Sequence, residues 1–327
     1  MQGRYAPLKN LDLNRVALCV MVMTHCKPRY RIAQEFNNTN TKGYIVMRNK
    51  VILLILDGLG YSYARKLMGN LEGWVASGEA SLWQGQSVLP SVSGPCYASI
   101  HTGLTPQDHG VTSNYHQGKL DDADIFSAVK AAGGTTAAVA HCFFSDYFQS
   151  SPFQHLQDME VDDLSRPIQH ARFYTMTGEN KAQPATPSDI DLFWQMSLLI
   201  QRHQPDYFLF HSSTLDSLGH HYGFDSIEID KNCYTIDAAL GDFIPRWQEQ
   251  GYDVIITADH GQSARGHHGG TEAIMRDIPI YYFANPNNPI HGPSPDHVIA
   301  QTALAPSILQ RMGIAIPGSM QAKPVWI

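Results

Sequence analysis

The sequence predicts an α/β domain, a mostly parallel central sheet with helices on both faces. Two observations predict it. Val51 to Leu56 is an unbroken apolar run closed by Asp57-Gly58, as expected of a parallel strand buried on both sides. Downstream, short apolar runs alternate with stretches of helical periodicity, which is the order of repeated βα units. In such sheets ligands bind beyond the carboxyl ends of the strands, so residues directly after each strand are the first place to look for chemistry.

In chain order, Val51 to Leu56 is the first strand and places Asp57 at its carboxyl end. Gly94-Pro95 punctuates the chain before a helical turn or two at Tyr97 to Gly103. Asp124 to Ala132 is a helix stopped by Gly133-Gly134, and Thr135 to Ala140 is the strand after it. Residues 151–187 are polar, proline-rich and without a clear period, which fits a substrate-facing insertion or a plain surface excursion equally well. Ile190 to His203 is helical, Tyr207 to His211 a short strand, and Ile227 to Gln250 a long helix that Pro245 is expected to interrupt. Val254 to Thr257 and Ile278 to Phe283 are strands, and Ile299 to Met312 is a closing helix.

At 327 residues the chain suits one large domain with insertions. Residues 1–46 are polar and irregular, and Met47 stands directly before Arg48-Asn49-Lys50 and the first strand. The expectation is therefore an N-terminal extension over 1–46, poorly ordered or not native, and a catalytic domain over 47–327. The apolar stretch Val16 to Met23 is too short to span a bilayer and has no small-residue cleavage site after it, so neither a membrane span nor a signal peptide is expected. Five cysteines without C-x-x-C spacing suggest no disulfide framework, and a reducing, cytoplasmic location is the expectation. A net charge of −7 without a Lys/Arg cluster argues against a nucleic acid polymer as partner, and a small anionic substrate would need local positive charge that metal ions can supply.

The sixteen histidines bunch. Leu56-Asp57-Gly58, Thr214 to His220 and Thr257-Ala258-Asp259-His260-Gly261 each put an acid or imidazole just after a predicted strand, and Gly266-His267-His268-Gly269-Gly270 adds two more imidazoles. Asp216 and His220 are four apart, which on a helix places both on one face. Asp-Gly after a strand is commonly only a turn, but three strand ends presenting carboxylates together point to metal binding. Mixed carboxylate and imidazole donors suit zinc first and manganese second, better than magnesium or calcium. Ser93 is the candidate nucleophile, at the amino end of a short helix where anions are favoured. The plain alternative is that Ser91 or Ser93 caps that helix. Cys96 is a weaker nucleophile candidate without an evident base.

In this order the segments resemble the alkaline phosphatase superfamily, most closely its type I phosphodiesterase and nucleotide pyrophosphatase branch, over most of the chain from Val51 onward. The most specific matches are Pro90 to Pro95, His101 to Gly110, Asp216 to Gly223, Asp259-His260-Gly261 and His268-Gly269. The resemblance implies two divalent metal ions, one on Asp216, His220 and His268, the other on Asp57, Asp259 and His260, with Ser93 bridging to the second. Between His267 and His268 it favours His268, which directly precedes a glycine; it gives His109 a structural role and leaves Tyr115 and His116 near the site. It implies in-line attack by metal-bound Ser93 on a small phosphate ester and a phosphoseryl intermediate, later hydrolysed by metal-activated water. The family usually carries threonine where this chain has Ser93. Phosphodiesterase relatives commonly carry asparagine where this chain has Cys96, which leaves oxyanion contacts to the Gly94 N–H and the metals and opens the substrate question. A phosphonate hydrolase or phosphomonoesterase is the alternative, and a catalytically silent metal-binding interaction protein the alternative of another class. Sulfatase chemistry is disfavoured, because Ser93-Gly94-Pro95-Cys96-Tyr97 lacks the arginine that branch needs.

Overall fold

The computed structural model describes residues 49–176, 186–289 and 296–326. The expected extension over 1–46, and the Met47 start, lie outside them. The described strands are β1 (Lys50–Leu56), β2 (Ser81–Gln86), β3 (Thr136–His141), β4 (Glu160–Asp162), β5 (His170–Tyr174), β6 (Tyr207–Ser212), β7 (Tyr252–Thr257), β8 (Asp277–Phe283) and β9 (Ile299–Ala300). They form one sheet in the order β4-β5-β3-β6-β1-β7-β8-β2-β9. The central run β5-β3-β6-β1-β7 is parallel, whereas β4 and β8 pair antiparallel with their inner neighbours.

Strand β1 shows why the sheet has two covered faces. Val51, Leu53 and Ile55 join one apolar cluster, and Ile52, Leu54 and Leu56 join the other, all of them buried. The period of two along a strand sends alternate side chains to opposite faces, so a continuous apolar run requires a layer on each. Helices Ser93–Thr102, Ile125–Ala131, Phe143–Phe148 and Leu304–Arg311 supply residues to the first cluster. Helices Asp189–His203 and Ile227–Glu249 supply the second.

Three local expectations are corrected. Helix Ile227–Glu249 runs through Pro245 without a break. Phe243, Ile244 and Trp247 are buried around it, and packing on both sides of the proline outweighs the lost backbone hydrogen bond. The stretch 151–187 is not a mere excursion: it contributes β4 and β5, with Ala137↔His170 to His141↔Tyr174 pairing β5 to β3, while 177–185 lie outside the described residues. Ile299 and Ala300 pair with Gly85 and Gln86 as β9, so the closing helix begins only at Leu304, after a 3₁₀ turn at Gln301–Ala303. Among the described residues no helix is long and apolar enough to cross a membrane.

Candidate active site

Three adjacent strands deliver three carboxylates to one place. Asp57 follows β1, Asp259 follows β7, and Asp216 lies in the first turn of helix Thr214–Tyr222 after β6. Because β1 pairs with both β6 and β7, these ends are neighbours. All three acids are buried. Burial, and then the charge of Asp259, pushes Asp57 up to about 7. Burial and then Asp216 pushes Asp259 up to about 7, and Asp216 is raised by burial and then by Asp57. So many buried acids are tolerable only if protonated or matched by cations.

The first cluster is Asp57, Asp259 and His260, whose candidate ligand atoms all lie within 4.8 Å of one another. The Asp57 carboxylate accepts from the Tyr97 hydroxyl through Oδ2, and Asp259 Oδ1 accepts from the N–H groups of Gly58 at 3.1 Å and His260 at 2.9 Å. The remaining oxygens, Asp57 Oδ1 and Asp259 Oδ2, are buried without a hydrogen-bond partner. His260 Nδ1 lies 3.2 Å from the Gly261 carbonyl, which can only accept, so the hydrogen is on Nδ1. Its Nε2 lone pair therefore faces Asp57 Oδ1 at 3.5 Å and Asp259 Oδ2 at 3.2 Å. Two orphaned carboxylate oxygens and a lone pair converging on one point fit a divalent cation.

Asp216, His220 and His268 form the second cluster on the same criterion. His268 Nδ1 donates to the Ser91 carbonyl at 3.1 Å, which turns its Nε2 to within 3.1 Å of His220 Nε2 and 3.5 Å of Asp216 Oδ1. His220 Nε2 stands 3.4 Å from the same oxygen, which also accepts from the Gln262 amide. The His260 and His268 rings stack with centroids 3.8 Å apart, so the two clusters adjoin. His267 is exposed and belongs to neither.

Ser93 opens helix Ser93–Thr102, with Val92 as N-cap and no side-chain cap bond. Neither serine caps: Ser91 Oγ donates to the Gly270 carbonyl at 2.9 Å, and Ser93 Oγ lies 3.4 Å from His260 Nε2. Two expectations about its surroundings are corrected. The Gly94 N–H is already bonded to Asn114 Oδ1 at 2.7 Å and Pro95 has no N–H, so the helix terminus has fewer spare donors than the sequence implied. Cys96 is fully buried, and burial, ahead of Asp259 and Asp57, pushes its thiol well above the usual value. A fully buried thiol so disposed is poorly suited to act as a nucleophile or to contact a phosphoryl oxygen. Asn114, which the sequence pattern did not reveal, lies beside the serine: it is exposed, its oxygen accepts from the Gly94 N–H, and its amide NH₂ is the end left to donate. A Cβ on Gly94 would come within 2.7 Å of the Tyr147 hydroxyl and 3.0 Å of Asn114 Oδ1, which is why glycine follows the serine.

A family model for type I phosphodiesterase / nucleotide pyrophosphatase matches residues 51–277. The chain belongs to this family. The match takes in β1 through the start of β8 and every residue of both clusters. Among curated proteins, the catalytic subunit of human GPI ethanolamine phosphate transferase 3 is 24% identical over 298 residues, 82% of this chain and 25% of that protein. The chain thus spans about a quarter of that relative's length. Murine ectonucleotide pyrophosphatase / phosphodiesterase 5 has the same fold, with a TM-score of 0.60 at 13% identity over 82% of this chain and 96% of that one. The C-terminal periplasmic domain of EcEptC from Escherichia coli, in complex with Zn, superimposes with a TM-score of 0.57 at 11% identity over 84% of each chain.

Behind Asp57 this phosphodiesterase-family chain carries a buried relay that the sequence did not reveal. His211 Nε2 lies 2.7 Å from the Tyr97 hydroxyl that donates to Asp57, and its Nδ1 lies 2.9 Å from the Tyr174 hydroxyl, itself 3.0 Å from Ser213 Oγ. Burial lowers His211 to about 3, so the ring is neutral. With one ring hydrogen, on Nε2, the donors run in sequence from Ser213 through Tyr174, His211 and Tyr97 to Asp57. That fixes the carboxylate with Oδ1 toward His260. His109 has only internal partners, Ser99 Oγ at 2.9 Å and the Val111 N–H at 3.1 Å. Tyr115 is 92% exposed, and His116 packs on the Tyr147 ring rather than on either cluster.

Proposed function

We propose that the chain is a hydrolase of small phosphate esters, with diesters and nucleotide pyrophosphates as its substrate class. In this reading two divalent cations, Zn²⁺ before Mn²⁺, are held by Asp57, Asp259 and His260 and by Asp216, His220 and His268. The observation that carries it is Ser93 Oγ, 3.4 Å from His260 Nε2, beside two adjoining clusters, in the first of which Asp57 Oδ1 and Asp259 Oδ2 are buried without a hydrogen-bond partner.

When bound, the cations supply Lewis-acid charge that favours the serine alkoxide and offsets charge on the phosphoryl oxygens. The protein does the rest. Ser93 Oγ, its proton given up to solvent, attacks phosphorus in line, a new P–O bond forms, and the opposite P–O bond breaks with its electron pair leaving on the alcohol or phosphate group, which takes a proton from solvent. Asn114 donates its amide to a nonbridging oxygen as charge builds there. Water then cleaves the phosphoseryl bond, returning the Ser93 hydroxyl and releasing the phosphate product. Because Asn114 is neutral where a guanidinium would suit a dianion, the site favours a singly charged diester.

The test is turnover of a bis-aryl phosphate diester, an aryl monoester, an aryl phosphonate monoester and dinucleotide substrates by the zinc- and manganese-loaded protein. The diester is expected to lead. A phosphonate or monoester leading would keep the chemistry and replace the substrate class. A second reading, transfer to an alcohol instead of water, draws on the likeness to the ethanolamine phosphate transferase. Product analysis with an added amino alcohol separates the two, since a new ester in place of free phosphate product marks transfer.

A further inference from the structure

At the far side of the sheet from Asp57 stands another cluster of metal-ligating side chains. Asp162 ends β4, His170 opens β5 directly opposite it in the register, and His203 ends helix Asp189–His203. His170 pairs with Ala137 near the start of β3, so the cluster sits at the amino ends of the parallel strands, whereas the catalytic clusters sit at their carboxyl ends.

The three candidate ligand atoms lie within 4.8 Å of one another. His170 Nδ1 is 3.0 Å from Asp162 Oδ1, and His203 Nε2 approaches the same oxygen at 3.6 Å, too far for a hydrogen bond. The two imidazole rings stack face to face, with centroids 3.6 Å apart and planes 14° from parallel. Arg172 Nη2 holds the other carboxylate oxygen at 2.9 Å, as an outer-shell donor does for a ligating carboxylate, and so turns Oδ1 toward both rings. Asp162 is half exposed, leaving room for water to complete a coordination shell.

We propose that Asp162, His170 and His203 form a further divalent-cation site, separate from the catalytic pair, for a borderline ion such as Zn²⁺. One carboxylate and two imidazoles are the donor set that such an ion prefers. Bound there, it clasps the end of helix Asp189–His203 to the outer hairpin of β4 and β5. The opposite end of β5 carries Tyr174 and the relay behind Asp57.

The experiment uses the full chain, stripped with chelator, loaded with Zn²⁺, desalted and analysed for zinc per chain by mass spectrometry. It is run on the wild type and on Asp57→Asn/Asp216→Asn, each with and without His203→Ala. The expected result is one ion fewer whenever His203 is replaced, in both backgrounds, and a zinc-induced rise in melting temperature of Asp57→Asn/Asp216→Asn that His203→Ala removes. His203→Gln in the wild-type background gives the same loss with a smaller packing change. Equal zinc with and without His203 overturns the proposal. Since the reading is a difference at His203, it succeeds or fails separately from the catalytic metals.

Discussion

His220 and His268 present their Nε2 atoms to each other at 3.1 Å, both beside Asp216 Oδ1. With His268 Nδ1 donating to the Ser91 carbonyl and its Nε2 turned inward, a cation is the partner that suits the two nitrogens and the carboxylate together. His268→Ala is therefore expected to cost the Asp216 cluster its ion, whereas His267→Ala leaves metal content unchanged because His267 is exposed and outside the cluster. Metal analysis of the two variants decides between the adjacent histidines.

Tyr97→Phe removes the hydrogen bond that orients Asp57 and leaves Asp57 Oδ2 with His211 alone, at 3.4 Å. Loss of an outer-shell partner weakens metal binding by about 10–100-fold. A competitive chelator titration should show that loss at one ion only, with melting temperature in excess metal nearly unchanged.

Asn114→Ala should lower kcat for a diester by about 100-fold or more, the size expected for removing one oxyanion donor. KM should change little, and metal content not at all. A change in KM alone would make Asn114 a ground-state contact.

The raised carboxylates set a pH dependence for the metal-free protein. Asp57 and Asp259 have folded values of about 7 against 3.8 when unperturbed, so the folded state holds protons that the unfolded chain has released. Their stabilising contribution is complete below about pH 4 and is lost as pH rises through 7, by up to about 1.4 kcal/mol per pH unit for each group. The metal-free melting temperature should fall across that window. Metal binding, which needs both groups ionised, should strengthen over the same range.

Both candidate clusters were legible because residues in them follow apolar runs that read clearly as strands. Asp57 after Val51 to Leu56 and Asp259 after Val254 to Thr257 are examples. Strand β5 was not legible: His170 and Arg172 break the apolar pattern, and its stability comes from pairing with β3. With β5 went Tyr174 and the relay behind Asp57. Asn114 was missed because its contact with Gly94 spans a loop that has no periodicity to read. Pro245 misled because local propensity was set against packing of Phe243 and Trp247 that only the folded chain supplies.

The central claim is that Ser93 attacks phosphorus with the help of bound metal. Its most direct measurement is turnover of a bis-aryl phosphate diester by the zinc-loaded wild type, the chelator-treated wild type and Ser93→Ala. The account predicts turnover that chelator abolishes and that Ser93→Ala lowers by orders of magnitude, with metal content of the variant retained. Chelator-resistant turnover, or a fully active Ser93→Ala protein, would contradict it.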